Sequence, residues 1–460
     1  MRIGIVGTGI AGLTAAWQLR NSGAKVTVFE TRPKLGMDAH SISFELNQKL
    51  VRADVPSRMF NADLWPNLAK MYREIGVETC LVDPSKSFSL LGKPASLQIG
   101  ASFIPDSVAN LLLKPSARQI FKDIARMMLA APKYLETYSA ESGGSNATFH
   151  TMGEYLSANN YSQPFIYEFL YPALSSTVCT CSYASLDEYP ASTLLSSMQN
   201  LTSPNSLLRT RFGTRDVLDR LVGAEVSEDR FGKVVETENQ SIHLGTSVDS
   251  ARQSENAVHL ATNNGDQFEF DHLIVATQAN SALKVVDDLS ATEKKALESF
   301  RYENISLVVH TDKSLMPSRR KDWSTFNMIS NPVKSSAMCS IWMNKFYPEW
   351  RSETEEEKNS DFNNAVFQTI MPIKEADATS VLCHSEMQRP TVDKESVRGI
   401  QLLDEARRKP NRRIWFCGSY ASLGIPLLES GVVSSNKVVS EIIDAESLRL
   451  DSAFNKSSNA

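Results

Sequence analysis

The stretch Arg2-Ile3-Gly4-Ile5-Val6-Gly7-Thr8-Gly9-Ile10-Ala11-Gly12, followed eighteen residues after Gly12 by Glu30, carries the strongest fold signal in the chain. Arg2 to Val6 is an apolar run too short for a helix and halted by Gly7, which is how a buried parallel strand reads. Beyond it Ile10, Leu13, Ala16 and Trp17 recur with a helical period, and Asn21-Ser22-Gly23 stops that helix. Lys25 to Phe29 is a second strand, rich in β-branched residues, that runs into Glu30. Between the first strand and the helix lies Gly-x-Gly-x-x-Gly. Its first glycine permits a tight turn, its second lets a pyrophosphate approach the backbone, and its third lets helix and strand pack closely. A diphosphate at that helix N-terminus meets free N–H groups and the positive end of the macrodipole. Glu30 is placed to accept hydrogen bonds from ribose hydroxyls and to repel a 2′-phosphate.

The residues after Glu30 favour a flavin dinucleotide over a nicotinamide one. Thr31-Arg32-Pro33-Lys34-Leu35-Gly36-Met37-Asp38-Ala39-His40-Ser41 is a polar loop of turn formers, suited to wrapping an extended FAD. Far downstream, Ile414-Trp415-Phe416-Cys417-Gly418 reads as a late strand. It leads through Ser419, Tyr420, Gly424 and Pro426 to a second helix expected to begin near Leu428-Glu429-Ser430-Gly431. The N-terminus of that helix, set against the pyrimidine end of a flavin, would stabilise the negative charge of its reduced form.

Bulk properties bound the alternatives. With 460 residues the chain exceeds one compact core, so two domains, or one carrying large insertions, are expected. A net charge of −5 supplies no excess of cations for nucleic acid. No run is apolar and long enough to span a bilayer, and the first strand leaves no room for a signal peptide, which predicts a cytoplasmic protein. Six cysteines do not make a disulfide framework. Cys179-x-Cys181 lacks a second pair, the histidines are scattered, and no metal is expected.

The texture from about residue 81 to 204 is helical, with Ile120, Ile124, Met127 and Met128 following a start at Pro115. Arg118, Lys122 and Arg126 on that helix allow a lipid-surface reading, but packing on a substrate domain is preferred. Residues 241–277 have strand character. Arg407-Arg408-Lys409 and Glu355-Glu356-Glu357 read as solvated faces, and residues 451–460 as a disordered tail.

The chain resembles the amine-oxidase-like superfamily of FAD proteins. More narrowly it resembles the branch of predicted FAD/NAD-binding proteins related to the flavin domain of plant cyclopropane fatty acid synthases. Besides the two flavin motifs, the resemblance rests on Asp54-Val55-Pro56 to Tyr72, Phe270 to Thr277, and His310-Thr311-Asp312 through Met316-Pro317. Trp342-Met343-Asn344 and Arg412 to Gly418 also carry it. It implies an α/β fold with a discontinuous Rossmann-type FAD-binding domain (1–80, 205–285 and 405–450). An inserted α+β substrate domain (81–204 and 286–404) completes it. It also implies noncovalent FAD contacted by Gly7, Gly9, Ile10, Ala11, Gly12, Glu30, Lys34, Ser41, Val248, Gly418 and Leu428. Two positions depart from the pattern. Met37 stands where relatives have a second glycine after Gly36, and Ser419 replaces the acid found in true amine oxidases.

The expected activity is hydride transfer to flavin N5 from a small apolar substrate, with a fatty acyl chain suggested by the family link alone. Tyr420 is the first candidate for facing substrate and His40 the second. Arg58 pairs with a substrate carboxylate or, preferably, holds its loop. The competing functions are a peroxide-releasing amine oxidase, a flavin isomerase without net redox change, and a binding protein resembling the GDP-dissociation inhibitors.

Overall fold

The computed structural model describes residues 1–100, 115–142, 150–198, 207–224, 234–331, 335–350 and 364–457. Strand β1 (Arg2–Val6), helix α1 (Ile10–Asn21) and strand β2 (Lys25–Glu30) form the opening unit. β1 is buried on both faces beyond Arg2, as its unbroken apolar run requires. It lies at the centre of a six-stranded sheet in the order Ile414–Phe416, His272–Val275, β1, β2, Gln240–Leu244, Val234–Thr237. All pairings are parallel except the outermost one, between Gln240–Leu244 and Val234–Thr237.

Helix α1 and the C-terminal helix, Leu428–Ser457, pack together on one face of this sheet. Gly431 sits at their crossing: a Cβ there would lie 2.6 Å from Ile10 Cγ2. The helix continues through residues 451–457, where the sequence suggested a disordered tail, while 458–460 lie outside the described residues. On the opposite face, a three-stranded antiparallel sheet stacks Phe268 and Phe270 around Phe29 of β2.

A second, seven-stranded sheet runs Val381–Pro390, Tyr302–His310, Phe367–Ile370, Ser336–Trp342, Phe326–Asn331, Lys86–Leu90, Ala95–Ile99. Its last two strands fall where helical spacing alone was anticipated. Ser87 and Ser89 alternate with Phe88, and that period of two is too short to stand out in a long helical stretch. Helices cover one face. The longest, Pro115–Ser142, buries Ala117, Ile120, Ile124, Met127 and Ala131, and joins one core with Phe88, Leu307 and Phe326.

That burial argues against lying on a lipid surface. Each buried large apolar side chain contributes roughly 1.5–3 kcal/mol, against about 1 kcal/mol per cation at an anionic membrane. Arg126 instead covers the Tyr161 ring at 4.3 Å. No described helix is long and apolar enough to cross a membrane. Arg407 corrects another expectation: it is buried and pairs with Asp404 and Glu441 rather than facing solvent. Glu355 to Glu357 lie outside the described residues.

Candidate functional site

The three glycines of the opening turn differ in what surrounds them. Gly7 has φ +106°, and a Cβ there would meet the Ala276 carbonyl oxygen at 2.9 Å. A Cβ on Gly12 would stand 2.1 Å from the Gly7 carbonyl oxygen. At Gly9 nothing lies within 4 Å of a Cβ. Two glycines are therefore demanded by the protein's own packing, and the third faces open space at the start of α1. No side chain caps that helix, so its first N–H groups are available to an anion. The turn fits a dinucleotide pyrophosphate on this geometry.

Glu30 closes the turn from behind. Its Oε2 accepts from the Thr8 amide at 3.1 Å and from the Thr8 hydroxyl, and its Oε1 accepts from the Arg32 amide at 2.9 Å. An ionised carboxylate accepts about four hydrogen bonds, which leaves capacity for a ribose hydroxyl. Thr8 Oγ1 in turn accepts from the Gly36 amide at 2.8 Å, so Thr8 fastens the wrapping loop to the glycine turn. Sequence reasoning missed Thr8, because the second position of the motif carries no type requirement.

Other expected cofactor contacts sit around this turn without lining the main cavity. Lys34 is half-buried in the loop. Ser41 is buried and accepts from the Val55 amide at 3.3 Å. Val248 is buried two residues beyond Thr246, whose amide donates to the Glu30 carbonyl at 2.8 Å. Met37, in place of a glycine, is buried, and its carbonyl accepts from Arg58 at 2.7 Å. Arg58 thus holds the loop.

The second flavin motif is pinned by the C-terminal helix. Ser434 Oγ accepts from the Gly418 amide at 3.0 Å and donates to the Gly418 carbonyl at 2.9 Å. Glu429 reaches back to the helix Pro66–Glu74, accepting from the Asn67 and Leu68 amides at 3.1 and 2.7 Å. That carboxylate is a helix cap and not a free base. Neither role was visible in sequence: Glu429 caps a helix hundreds of residues away, and the Ser434 contact exists only once the C-terminal helix folds back on Gly418.

A continuous cavity of about 1420 Å³ joins the two motifs. At one end Gly9, Ile10, Ala11, Gly418, Ser419 and Leu428 line it. At the other its wall is apolar, with Phe88, Leu307, Phe326 and Met328 from the seven-stranded sheet facing Ile124 and Phe169 from the helices. Two π-helical turns, Ile166–Leu170 and Leu174–Val178, bring Leu170, Leu174 and Val178 to that wall.

Both catalytic candidates line the cavity. His40 Nε2 lies 2.6 Å from Arg32 Nη1, and burial, with Arg32 and Arg58, lowers its pKa below the ordinary value. A neutral ring accepting from Arg32 is the consistent assignment. Tyr420 is buried, with its ring 4.7 Å from Phe300 in an edge contact. Burial raises its pKa well above the ordinary phenol value, so it stays a donor. Its hydroxyl has no hydrogen-bond partner among the described residues. Cys179 and Cys181 are buried free thiols, and Cys179 together with burial raises the Cys181 pKa. Among the described residues no group of three metal-ligating side chains is assembled.

Known proteins share this architecture. Residues 5–75 match the NAD(P)-binding Rossmann-like domain. Solved structures align over nearly the whole chain. Putrescine oxidase bound to putrescine gives a TM-score of 0.61 at 14% identity, covering 96% of this chain and 99% of its own. The fold is that of the amine oxidases. Cyclohexylamine oxidase from Brevibacterium oxydans IH-35A gives 0.61 at 15% identity, covering 97% and 99%. The CLA-producing fatty acid isomerase from P. acnes gives 0.60 at 14%, covering 95% and 98%. Sequence relatives match over shorter stretches. FLOWERING LOCUS D of Arabidopsis thaliana is 32% identical over 146 residues, 31% of this chain and 18% of its own. The tRNA-(uracil-5-)-methyltransferase TrmFO of Prochlorococcus marinus is 51% identical over 39 residues, 8% of each chain. The chain thus spans under a fifth of the length of these two relatives.

Proposed function

We propose that this chain is an FAD-dependent oxidoreductase acting on an apolar substrate. The observation that carries the reading is the single cavity, with a dinucleotide turn and the Gly418 motif at one end and apolar side chains at the other. Gly7, Gly9, Gly12 and the first turn of α1 would hold the diphosphate, and Glu30 the ribose, with Lys34, Ser41 and Val248 along the adenosine half. Gly418 and Leu428 would flank the isoalloxazine ring. Bound FAD supplies a two-electron acceptor for a hydride from substrate carbon.

This chain's residues do the remaining work. The apolar wall orients the reacting carbon and excludes water. Tyr420, its ring against Phe300 and its hydroxyl buried away from the cavity surface, would support the Gly418 motif by packing. His40, with its acceptor nitrogen on Arg32, would position the loop that wraps the cofactor. The test is the visible spectrum of the purified protein, followed by anaerobic addition of fatty acyl and amine compounds. Bleaching by one class supports the reading and selects the substrate. A bound flavin that converts substrate without bleaching would favour an isomerase. A colourless protein that cannot be reconstituted with FAD would overturn the proposal.

A further inference from the structure

The charges on the cavity wall are unbalanced. Arg32, Arg58, Lys86 and Arg389 line it, against the carboxylates of Glu386 and Glu429. Glu429 is committed to its helix cap, and Glu386 is exposed and paired with His384 at 3.3 Å. Arg32 lies in the cofactor loop beside His40, and Arg58 is bonded to that loop through the Met37 carbonyl. Lys86 Nζ donates to the Pro84 carbonyl at 3.0 Å. That leaves Arg389.

Arg389 lies near the end of the edge strand Val381–Pro390, and its Nε donates to Thr180 Oγ1 at 2.7 Å. Guanidinium offers five N–H donors, and among the described residues no carboxylate pairs with it. The register places Glu303 directly opposite on the neighbouring strand. That carboxylate instead accepts from the Ser182 amide and hydroxyl at 2.7 and 2.8 Å and from the Ser185 hydroxyl. The preceding residue, Gln388, accepts on its carbonyl from Gln278 at 3.1 Å. Gln278 follows Thr277, whose carbonyl oxygen lies 3.5 Å from a Cβ built on Gly418. Arg389, Thr180, Gln388 and Gln278 line the same cavity as Thr277 and the Gly418 motif. Burial also lowers the Arg389 pKa, as expected for a cation without a counter-ion.

We propose that Arg389 anchors a carboxylate on the substrate, so that the cavity takes an apolar acid and rejects an amine. This rests on the reading of the cavity as the substrate site of a flavin enzyme. The planar fork of arginine matches a carboxylate with two parallel hydrogen bonds, and an ammonium in the same place would face uncompensated positive charge.

The test is calorimetric titration of the FAD-loaded protein with decanoate, decanol and decylamine. Decanoate is expected to bind at least tenfold more tightly than the other two. Arg389→Met should remove that preference while keeping the decanol affinity, which reports an intact cavity, and Arg389→Lys should restore part of it. Thr180→Val, which breaks the Arg389 contact but keeps the cation, should stay within about threefold of wild type on the decanoate titration. A wild-type preference for decylamine or decanol, or an Arg389→Met protein that still prefers decanoate, would overturn the proposal. Loss of the preference in Lys86→Met but not in Arg389→Met would do the same. No turnover is needed, so decanoate binding beside a flavin that never reduces would sink the redox reading alone.

Discussion

Adding one methyl group at Gly9 and, separately, at Gly12 separates cofactor binding from folding. Gly9 has φ −68°, a conformation alanine adopts without strain, and nothing lies within 4 Å of the new carbon. The apo protein should therefore keep its stability or gain about 0.4–1 kcal/mol through the unfolded chain. The methyl would project where the pyrophosphate must approach. An overpacking cost of about 1–3 kcal/mol there means roughly a 5- to 150-fold loss of FAD affinity. Gly12→Ala reverses the pattern. Its methyl meets the Gly7 carbonyl oxygen at 2.1 Å, and that atom is backbone, so α1 must move away from the turn. The apo protein should lose about 1–3 kcal/mol or more, with FAD affinity falling as a consequence. Urea unfolding of both apo variants and fluorescence titration with FAD measure the two quantities separately. The reasoning is refuted if Gly9→Ala destabilises the apo protein, or if it binds FAD as wild type does.

Three further outcomes are expected. His310 is fully buried with Nε2 2.8 Å from Thr369 Oγ1, and burial lowers its pKa to about 4. Below pH 6.5 the unfolded chain binds a proton that the folded one refuses, so stability present above 6.5 falls by about 3 kcal/mol on reaching pH 4. In urea unfolding, His310→Gln should flatten that part of the pH profile relative to wild type. Glu293 pairs with Arg412, both nearly buried, and also closes the capping box of the helix Ala291–Glu298. Glu293→Ala strands a buried guanidinium and should cost about 3–5 kcal/mol in denaturant unfolding, and a loss under about 1 kcal/mol, the scale of an exposed pair, would contradict the pairing. Tyr420→Phe removes a hydroxyl unpartnered among the described residues. Stability should hold or rise, and because the hydroxyl has no surface in the cavity, kcat on the compound that bleaches the flavin should stay within about twofold, less than one lost hydrogen bond of about 0.5–1.5 kcal/mol would cost. A larger fall in kcat would show that the hydroxyl reaches substrate and would overturn the packing role.

The opening unit was legible to within a residue or two because its signals are local. The first strand ends at Val6, just before Gly7, the helix at Asn21, and the second strand at Glu30, one residue past the expected Phe29. The late strand Ile414–Phe416 and the helix starting at Leu428 were legible for the same reason. The strands Lys86–Leu90 and Ala95–Ile99 were not, since the strand Phe326–Asn331, far along the chain, pairs with the first of them and supplies the burial that makes them strands. The burial of Arg407 was hidden in the same way, because Glu441 arrives from another helix. At the candidate site the glycines and Glu30 could be named, whereas Thr8, Glu429, Ser434 and Arg389 gain meaning only from partners that the fold brings to them.

The C-terminal helix has a consequence in time. Its first turns seat Gly431 on Ile10, cap the Pro66 helix through Glu429 and clamp Gly418 through Ser434. The glycine turn is synthesised before the wall that completes its cavity, which is made more than 400 residues later. At about 5–20 residues per second that interval is roughly 20–80 s. During it the dinucleotide unit exists without its closing helix, and the apolar surface meant for that helix is open to whatever chaperone or neighbouring chain reaches it first. A cavity with both of its motifs in place therefore exists only after the C-terminal helix has been made.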